Sequence, residues 1–171
     1  MDKSELAARV KDAAFLEGDF ILRSGQHSKF YIDKYLFSAD PIILAEFGKR
    51  FAEHADDAEL IAGPELGAVG LAASTAMACG KPFVIVRKAE KDYGTSKLIE
   101  GPSVEGKKVL LVEDIGTTAG AALGAAKTLT EAGATVVKMV FAVDRLQGAR
   151  ENVESAGFTF AALLNKDDMG I

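Results

Sequence analysis

Cysteine is nearly absent from this chain of 171 residues. Its single cysteine, Cys79, cannot form a disulfide within the chain, and this favours a reducing compartment, so a cytoplasmic protein is expected. No run approaches the roughly 18 apolar residues of a membrane-spanning helix, so none is predicted. The chain is charged from Asp2 onward, so no signal peptide is predicted either.

Basic residues are outnumbered by acidic ones, 20 to 25, and the formal net charge at pH 7 is −5. This balance disfavours non-specific binding to nucleic acid or to an anionic membrane, and neither partner is expected. Two familiar nucleotide-binding motifs are also missing. There is no G-x-x-x-x-G-K-[ST] loop and no G-x-G-x-x-G fingerprint, so a Walker A site and a dinucleotide site are both excluded.

Apolar residues make up 49% of the chain, enough for the core of one domain of this length. From residue 59 onward, apolar strands alternate with helical segments, which predicts a Rossmann-like α/β fold whose parallel sheet is flanked by helices on both faces. The predicted strands are 59–62, 83–87, 109–113, 135–143 and 158–163, and the predicted helices between them are 68–79, 118–132 and 146–156. Upstream, the pattern predicts a helix over 4–14, short strands over 19–23 and 29–33, and a helix that begins at Asp40-Pro41.

The segment 109–121, VLLVEDIGTTAGA, carries the strongest functional pattern. Four apolar residues read as a buried strand, Glu113 and Asp114 follow at its end, and small and hydroxylic residues lead into an Ala-rich helix. Free N–H groups at a helix N-terminus attract phosphate oxygens, and small side chains let the backbone approach them. Adjacent carboxylates can accept hydrogen bonds from sugar hydroxyls or hold hydrated Mg²⁺. The segment therefore predicts a site for a phosphorylated sugar.

Charged or glycine-containing segments follow several predicted strands of the sheet. They are Glu65 to Gly67, Arg87-Lys88, Glu113-Asp114 and Asp144-Arg145. Because ligands of such sheets bind at the carboxyl ends of the strands, we expect these residues to converge on one site. The long polar segment after the second strand, RKAEKDYGTSK over 87–97, carries four cations that would neutralise a polyphosphate.

Six segments together resemble the type I phosphoribosyltransferases and, within them, the orotate phosphoribosyltransferases. In chain order they are FILRSG (20–25), YID (31–33), GPELG (63–67), RKAEKDYGT (87–95), EDIGTTAGA (113–121) and DRLQG (144–148). The acidic loop over 113–121 indicates only the type I phosphoribosyltransferases. The 87–95 and 144–148 segments are what make the chain resemble the orotate phosphoribosyltransferases within that group. The resemblance implies a single domain over 1–171, with a small N-terminal hood over 1–40 and an α/β core over 41–171.

The resemblance implies a transfer of phosphoribosyl from phosphoribosyl pyrophosphate to orotate, which yields orotidine 5′-monophosphate in pyrimidine biosynthesis. Lys91, Asp114 and Glu113 are the implied catalytic residues. The implied binding residues for phosphoribosyl pyrophosphate are Arg87, Lys88, Lys91, Tyr93, Glu113, Asp114, Thr117, Thr118, Ala119, Gly120 and Ala121. Orotate would contact Arg23, Tyr31, Ile32, Thr117 and Arg145, of which Arg145 would pair with its carboxylate.

The resemblance also implies a cofactor and a partner. Mg²⁺ is expected, held mainly by the substrate, with Glu113 and Asp114 contacting it through water and no direct protein ligand. A homodimer is expected in which the lid carrying Lys91 and Tyr93 reaches the neighbouring subunit. Since orotate is already an anion with a usable ring nitrogen, the reaction requires no strong base, in keeping with a chain that has only two histidines.

Four positions depart from the family pattern, and one of them is Tyr93, where part of the family carries a histidine. Gly116 stands where a β-branched residue is more common, Ala119 where glycine is common, and Gly67 where some members carry a lysine for pyrophosphate. Two other functions therefore stay open at the level of sequence. One is a phosphoribosyltransferase for another base, against which Arg145 argues because a purine has no carboxylate. The other is a non-catalytic regulator that binds phosphoribosyl pyrophosphate or nucleotides.

Overall fold

The computed structural model describes residues 1–21, 25, 27–88 and 97–171. Helix α1 (Lys3–Ala14) begins with a capping box, in which the Asp2 carboxylate accepts a hydrogen bond from the Glu5 N–H and the Glu5 carboxylate accepts one from the Asp2 N–H. Strands β1 (Phe15–Ile21) and β2 (His27–Ile32) follow and form an antiparallel hairpin. Helix and hairpin match the sequence prediction, although β1 begins earlier than expected.

Two helices connect the hairpin to the sheet. The short helix α2 (Lys34–Ala39) is an element that the sequence pattern did not predict, because six residues are too few to display a helical period. Helix α3 (Pro41–Ala52) begins where predicted, since the Asp40 carboxylate accepts hydrogen bonds from the N–H groups of Ile42 and Ile43.

The main sheet contains six strands in the order β5-β4-β3-β6-β7-β8. They are β3 (Leu60–Pro64), β4 (Phe83–Val86), β5 (Ile99–Glu100), β6 (Lys108–Gly116), β7 (Thr135–Asp144) and β8 (Phe160–Asn165). All neighbours are parallel except β5, a two-residue edge strand antiparallel to β4. The connecting helices are α4 (Val69–Cys79), α5 (Gly120–Glu131) and α6 (Ala149–Ser155), and a 3-10 turn spans Asp167–Met169.

Apolar layers cover both faces of this sheet, as predicted for a buried parallel sheet. On one face, Ile61 and Leu110 pack with Phe47 of α3 and Leu71 of α4. On the other face, residues such as Leu111 and Phe141 pack with Leu129 of α5 and Val153 of α6. Successive strand residues such as Leu110 and Leu111 are thus buried on opposite sides. The α/β fold class predicted from the sequence is confirmed.

The main differences from the prediction are three boundaries and one additional strand. Strand β6 continues through both acids to Gly116, because its last residues still pair with β7, Gly116 opposite Asp144. Helix α5 begins at Gly120 and α6 at Ala149, later than predicted, since Ala119 and Leu146 both have left-handed backbone angles. Within the polar segment 88–106, β5 forms and makes the sheet mixed rather than wholly parallel. No helix in the described ranges is long and apolar enough to cross a membrane.

The order of the strands determines where a ligand can bind. After β3 the chain adds β4 on one side, and it later returns to place β6 on the other side of β3. The connections at the carboxyl ends of β3 and β6 therefore leave in opposite directions and open a crevice between them. The division into a hood over 1–40 and a core over 41–171 stays a prediction.

Candidate active site

A cavity of about 1160 Å³ opens at this crevice. The ends of β3, β4 and β6, the start of α5, the segment after β7 and the hairpin all contribute to its wall. Every described residue that the resemblance assigned to a substrate lines it, namely Tyr31, Ile32, Arg87, Lys88, Glu113, Asp114, Thr117, Thr118, Ala119, Gly120, Ala121 and Arg145. Asp144 and Leu66, which were expected at the same edge of the sheet, do not line it. The fold therefore brings these residues together, and the role of each stays a prediction.

Glu113 and Asp114 lie at the floor of the cavity and are both buried, with relative exposures of 6% and 4%. The Glu113 Oε1 accepts a hydrogen bond from the Asp114 N–H at 2.9 Å, and the Asp114 Oδ1 accepts one from the Ile115 N–H at 2.6 Å. The Glu113 Oε2 has no hydrogen-bond partner among the described residues. A buried carboxylate oxygen without a partner is costly, and a ligand in the cavity would satisfy it.

Burial and the charge of Asp114 raise the pKa of Glu113 to about 8, although the Asp114 N–H and the Lys34 ammonium oppose the shift. Two adjacent buried carboxylates cannot both ionise cheaply, so Glu113 is the member of the pair that keeps a proton near neutral pH. The floor of the cavity is thus less negative near neutral pH than two ordinary carboxylates would make it.

Lys34, at the start of α2, is a cavity residue that sequence reasoning missed. Its Nζ forms an ion pair with the Asp114 Oδ2 at 2.8 Å. Burial lowers the pKa of Lys34, but the contact with Asp114 and the charge of Glu113 outweigh burial and raise it. One sequence signal was available, since Lys34 directly follows the YID motif.

The loop over 117–121 leads from β6 into α5 and forms one wall of the cavity. Ala119 takes the N-cap position of α5 with φ 61° and ψ 19°, a left-handed conformation that costs a non-glycine residue about 1–2 kcal/mol. No side chain in the described part of the chain caps this helix, so its first N–H groups remain available for a phosphate. The Asn152 side chain donates a hydrogen bond to the Thr118 carbonyl at 3.0 Å and so holds the loop from α6.

Gly116, one of the departures from the family pattern, is buried at the end of β6. A Cβ placed there would lie 3.1 Å from both the Phe141 Cδ1 and the Ala149 Cβ. The carbonyl of Gly116 accepts a hydrogen bond from the Arg145 N–H at 2.8 Å. The missing side chain therefore allows β7 and α6 to pack closely against this strand end.

Glu65 joins the ends of β3 and β4. Its Oε1 accepts a hydrogen bond from the Lys88 N–H at 2.6 Å, and its Oε2 lies 3.8 Å from the Arg87 Nη1. The turn after β3 thereby holds the start of the cation-rich segment at the rim of the cavity. Sequence reasoning placed Glu65 near the site without assigning it this function.

Arg145 is 9% exposed and lines the cavity opposite the hairpin. Burial lowers its pKa, and the nearby Tyr31 opposes that shift. The Arg145 Cζ lies 5.4 Å from the centre of the Phe30 ring, and no ion pair joins the guanidinium to a carboxylate within the described ranges. A buried guanidinium without an ion-pair partner in the described ranges is suited to bind a planar carboxylate.

Three predicted site residues, Arg23, Lys91 and Tyr93, lie outside the described residues. Their assignments to orotate and pyrophosphate stay predictions. Tyr31 and Ile32 lie on β2, where Tyr31 is partly exposed to the cavity and Ile32 is 3% exposed and also belongs to the core.

A mostly parallel sheet with paired acids at the end of a central strand, followed by a phosphate-type loop, defines a phosphoribosyltransferase. Residues 40–166 match the model of the phosphoribosyl transferase domain family. The orotate phosphoribosyltransferase of Methanocella arvoryzae is 44% identical over 168 residues, which cover 97% of this chain and 96% of that protein. The protein belongs to the phosphoribosyltransferase family and, within it, to the orotate phosphoribosyltransferases.

Solved structures agree with this placement. A crystal structure of the orotate phosphoribosyltransferase of Mycobacterium tuberculosis, in complex with Fe(III) dicitrate, has a TM-score of 0.90 to this chain at 32% identity, with 100% of each chain covered. A structure of the enzyme from the same organism in complex with 5-phospho-α-D-ribosyl 1-diphosphate has a TM-score of 0.85 at 31% identity, again over 100% of both chains.

Proposed function

We propose that this protein transfers the 5-phosphoribosyl group from phosphoribosyl pyrophosphate to orotate, releasing pyrophosphate and forming orotidine 5′-monophosphate for pyrimidine biosynthesis. The observation that carries the proposal is one cavity with buried carboxylates at the end of β6 and a buried, carboxylate-free Arg145 after β7. The carboxylates suit a sugar and the guanidinium suits an anionic base. The full-length similarity to orotate phosphoribosyltransferases supports the same assignment.

The loop over 117–121 would bind the 5′-phosphate, because its small residues and the uncapped start of α5 present N–H groups to the cavity. Glu113 and Asp114 would then accept hydrogen bonds from the ribose hydroxyls below it. These contacts would fix the anomeric carbon between the pyrophosphate and the base. Holding the reactants in line lowers the entropic part of the barrier.

Arg145 would bind the orotate carboxylate with two parallel hydrogen bonds, while Tyr31 forms the adjacent wall. The ring nitrogen of orotate would attack the anomeric carbon as the bond to the pyrophosphate oxygen breaks. The electron pair of that bond would leave with pyrophosphate, and the proton of the ring nitrogen would pass to the departing pyrophosphate or to water. Arg87 and Lys88, at the rim of the cavity, would stabilise the charge that develops on the leaving group.

Mg²⁺ is part of this proposal. No cluster of three potential ligands occurs among the described residues, but the partnerless Glu113 Oε2 beside Asp114 fits a hydrated Mg²⁺ carried mainly by substrate oxygens. When bound, Mg²⁺ would neutralise part of the negative charge on the pyrophosphate. Glu113 and Asp114 would orient its water ligands.

We also propose that the protein acts as a cytoplasmic homodimer, with Lys91 and Tyr93 serving the neighbouring subunit. Exposed apolar side chains on adjacent elements support a subunit interface, namely Tyr35 and Leu36 on α2, Ile42 on α3, Leu66 before α4 and Met77 on α4. Light scattering coupled to gel filtration tests the dimer, and a mass of one chain of 18.0 kDa at micromolar concentration would contradict it.

The activity is tested by the loss of orotate ultraviolet absorbance with purified protein, Mg²⁺ and phosphoribosyl pyrophosphate. We expect turnover in the native protein, and its collapse in Lys91→Ala and Asp114→Asn. Calorimetry with phosphoribosyl pyrophosphate is run in parallel. Binding without turnover of orotate would refute orotate transfer and favour another base or a regulatory protein.

A further inference from the structure

Three residues from distant parts of the chain meet in the wall of the cavity. Lys34 opens α2, Gly67 lies in the turn after β3, and Asp114 lies near the end of β6. The Lys34 Nζ is 2.8 Å from the Asp114 Oδ2, while the Asp114 Oδ1 is held by the Ile115 N–H. The Ile115 N–H thus fixes one oxygen of the Asp114 carboxylate, and the Lys34 ammonium holds the other by charge attraction, without a hydrogen bond among the described residues.

Gly67 provides the space that this arrangement occupies. A Cβ at position 67 would lie 1.8 Å from the Asp114 Oδ2 and 3.1 Å from the Lys34 Cε. The first distance is too short for a side chain to coexist with the carboxylate as it stands, and the second is a tight contact with the flexible Lys34 side chain. The Asp114 carboxylate and the Lys34 side chain therefore occupy the space that a side chain at position 67 would need.

The stability of the folded protein does not by itself account for this ion pair. The Asp114 side chain is 6% exposed and that of Lys34 is 33% exposed, so pairing them costs desolvation that offsets much of their attraction. Lys34 also stands in the first turn of α2, where the helix dipole disfavours a cation. Local features that disfavour folding are concentrated at functional sites.

We propose that Lys34 is a positioning residue for phosphoribosyl pyrophosphate, which holds the Asp114 carboxylate over Gly67 in the direction from which it accepts the sugar hydroxyls. This inference rests on the proposed function. It assigns a role to Lys34 and explains glycine at position 67. Lys34 acts through Asp114, so its loss weakens the binding of phosphoribosyl pyrophosphate and leaves the binding of orotate at Arg145 unchanged.

The test compares Lys34→Gln and Lys34→Arg with a matched control, Lys107→Gln. Lys107 forms an ion pair with Glu59 at 3.0 Å, and neither residue lines the cavity. Calorimetry gives the Kd for phosphoribosyl pyrophosphate, steady-state kinetics give KM for each substrate, and thermal unfolding gives Tm. We expect Lys34→Gln to weaken donor binding about tenfold, with the KM for orotate within about twofold of the native value.

Lys34→Arg should recover part of the donor affinity because it keeps the charge, and Lys107→Gln should leave it unchanged. An unaltered Kd in Lys34→Gln would overturn the proposal. So would a loss shared equally by donor and orotate together with a lower Tm, which is the pattern of a merely structural residue.

Gly67→Ala provides a second route that does not alter Lys34. Its Cβ would displace the Asp114 carboxylate, so the same donor-specific loss is expected. In the Asp114→Asn variant, the additional substitution Lys34→Gln should weaken donor binding little further, because the residue that Lys34 positions is already altered. If the losses of donor affinity in Lys34→Gln and Asp114→Asn add up in the double variant, the positioning role of Lys34 is refuted.

The two proposals fail in different ways. Absence of orotate turnover in the native protein would refute orotate transfer, while calorimetry would still report whether Lys34→Gln weakens the donor. Normal turnover with an unchanged donor Kd in Lys34→Gln would refute only the role of Lys34.

Discussion

The Arg145 guanidinium lies over the face of the Phe30 ring, with its Cζ 5.4 Å from the ring centre. Phe30 belongs to β2 of the hairpin, whereas Arg145 follows β7 of the large sheet, so the contact joins the two sheets beside the cavity. Phe30 in turn stacks on Phe15, with ring centres 5.6 Å apart. The hairpin therefore restricts the guanidinium, which lowers the entropy lost when it binds a ligand.

Replacing Arg145 by lysine tests the carboxylate assignment. We expect the KM for orotate to rise about tenfold or more, because an ammonium cannot form the two parallel hydrogen bonds of a guanidinium. The Kd for phosphoribosyl pyrophosphate, measured by calorimetry, should be unchanged. The matched control is Arg150→Lys, since Arg150 also lies over an aromatic ring, Phe160, but outside the cavity. An equal effect of both substitutions would contradict the assignment.

Glu113 makes stability depend on pH in a defined direction. Its pKa rises from 4.5 to about 8 on folding, chiefly through burial, so between these values the folded state holds a proton that the unfolded state has lost. The free energy of unfolding therefore falls as pH rises from about 4.5 to about 8, and the contribution is constant outside this window.

Glu113→Gln should remove this dependence while keeping the hydrogen bond from the Asp114 N–H. We expect the variant to gain stability over the native protein as pH rises from 5 to 8, by about 2–4 °C or more in Tm. Thermal unfolding without ligand at both pH values measures the difference. A Tm difference that is the same at pH 5 and pH 8 would argue against a raised pKa.

Ala119→Gly should stabilise the protein, since glycine adopts the left-handed conformation at φ 61° without the steric cost that alanine has. After the greater entropy of glycine in the unfolded chain is subtracted, the expected gain is about 0.5–1 kcal/mol. Ala132→Gly is the control and should destabilise the protein, because Ala132 has an ordinary φ of −84° at the end of α5. Chemical denaturation of both variants measures the two effects, and a loss of stability in Ala119→Gly would be contrary to the expectation.

Gly116→Val, which restores a residue type common in the family, should destabilise this protein by about 1–3 kcal/mol. Its side chain would enter the close contact between Phe141 and Ala149, each 3.1 Å from the nearest added carbon. Urea denaturation measures the cost, and Ala149→Gly in the same chain should recover part of it by removing one of the contacts. No recovery in the double variant would show that the cost arises elsewhere.

Much of the site is predictable from the sequence because many of its residues are close together in the chain. The acids and the small residues that follow them occupy consecutive positions in 113–121, and a buried apolar strand precedes them. Parallel strands end at one edge, so Arg87, Glu113 and Arg145 were expected to meet there, and they line one cavity. Hydrophobic periodicity and turn residues were sufficient for these inferences.

Other features depended on segments that local pattern does not connect. The meeting of Lys34, Gly67 and Asp114 required α2, which is too short to show a helical period, to pack beside the turn after β3. The left-handed Ala119 was hidden because alanine normally favours the helix that follows it.

Periodicity along a chain reports which side of an element is buried, and this made the α/β class and the acids of the site predictable from the residues. It carries no information about which remote elements become neighbours. The pairing of Lys34 with Asp114, the contact of Arg145 with Phe30 and the edge strand β5 follow from packing across the whole molecule. In close-packed interiors the space available at one residue is set by side chains distant in sequence.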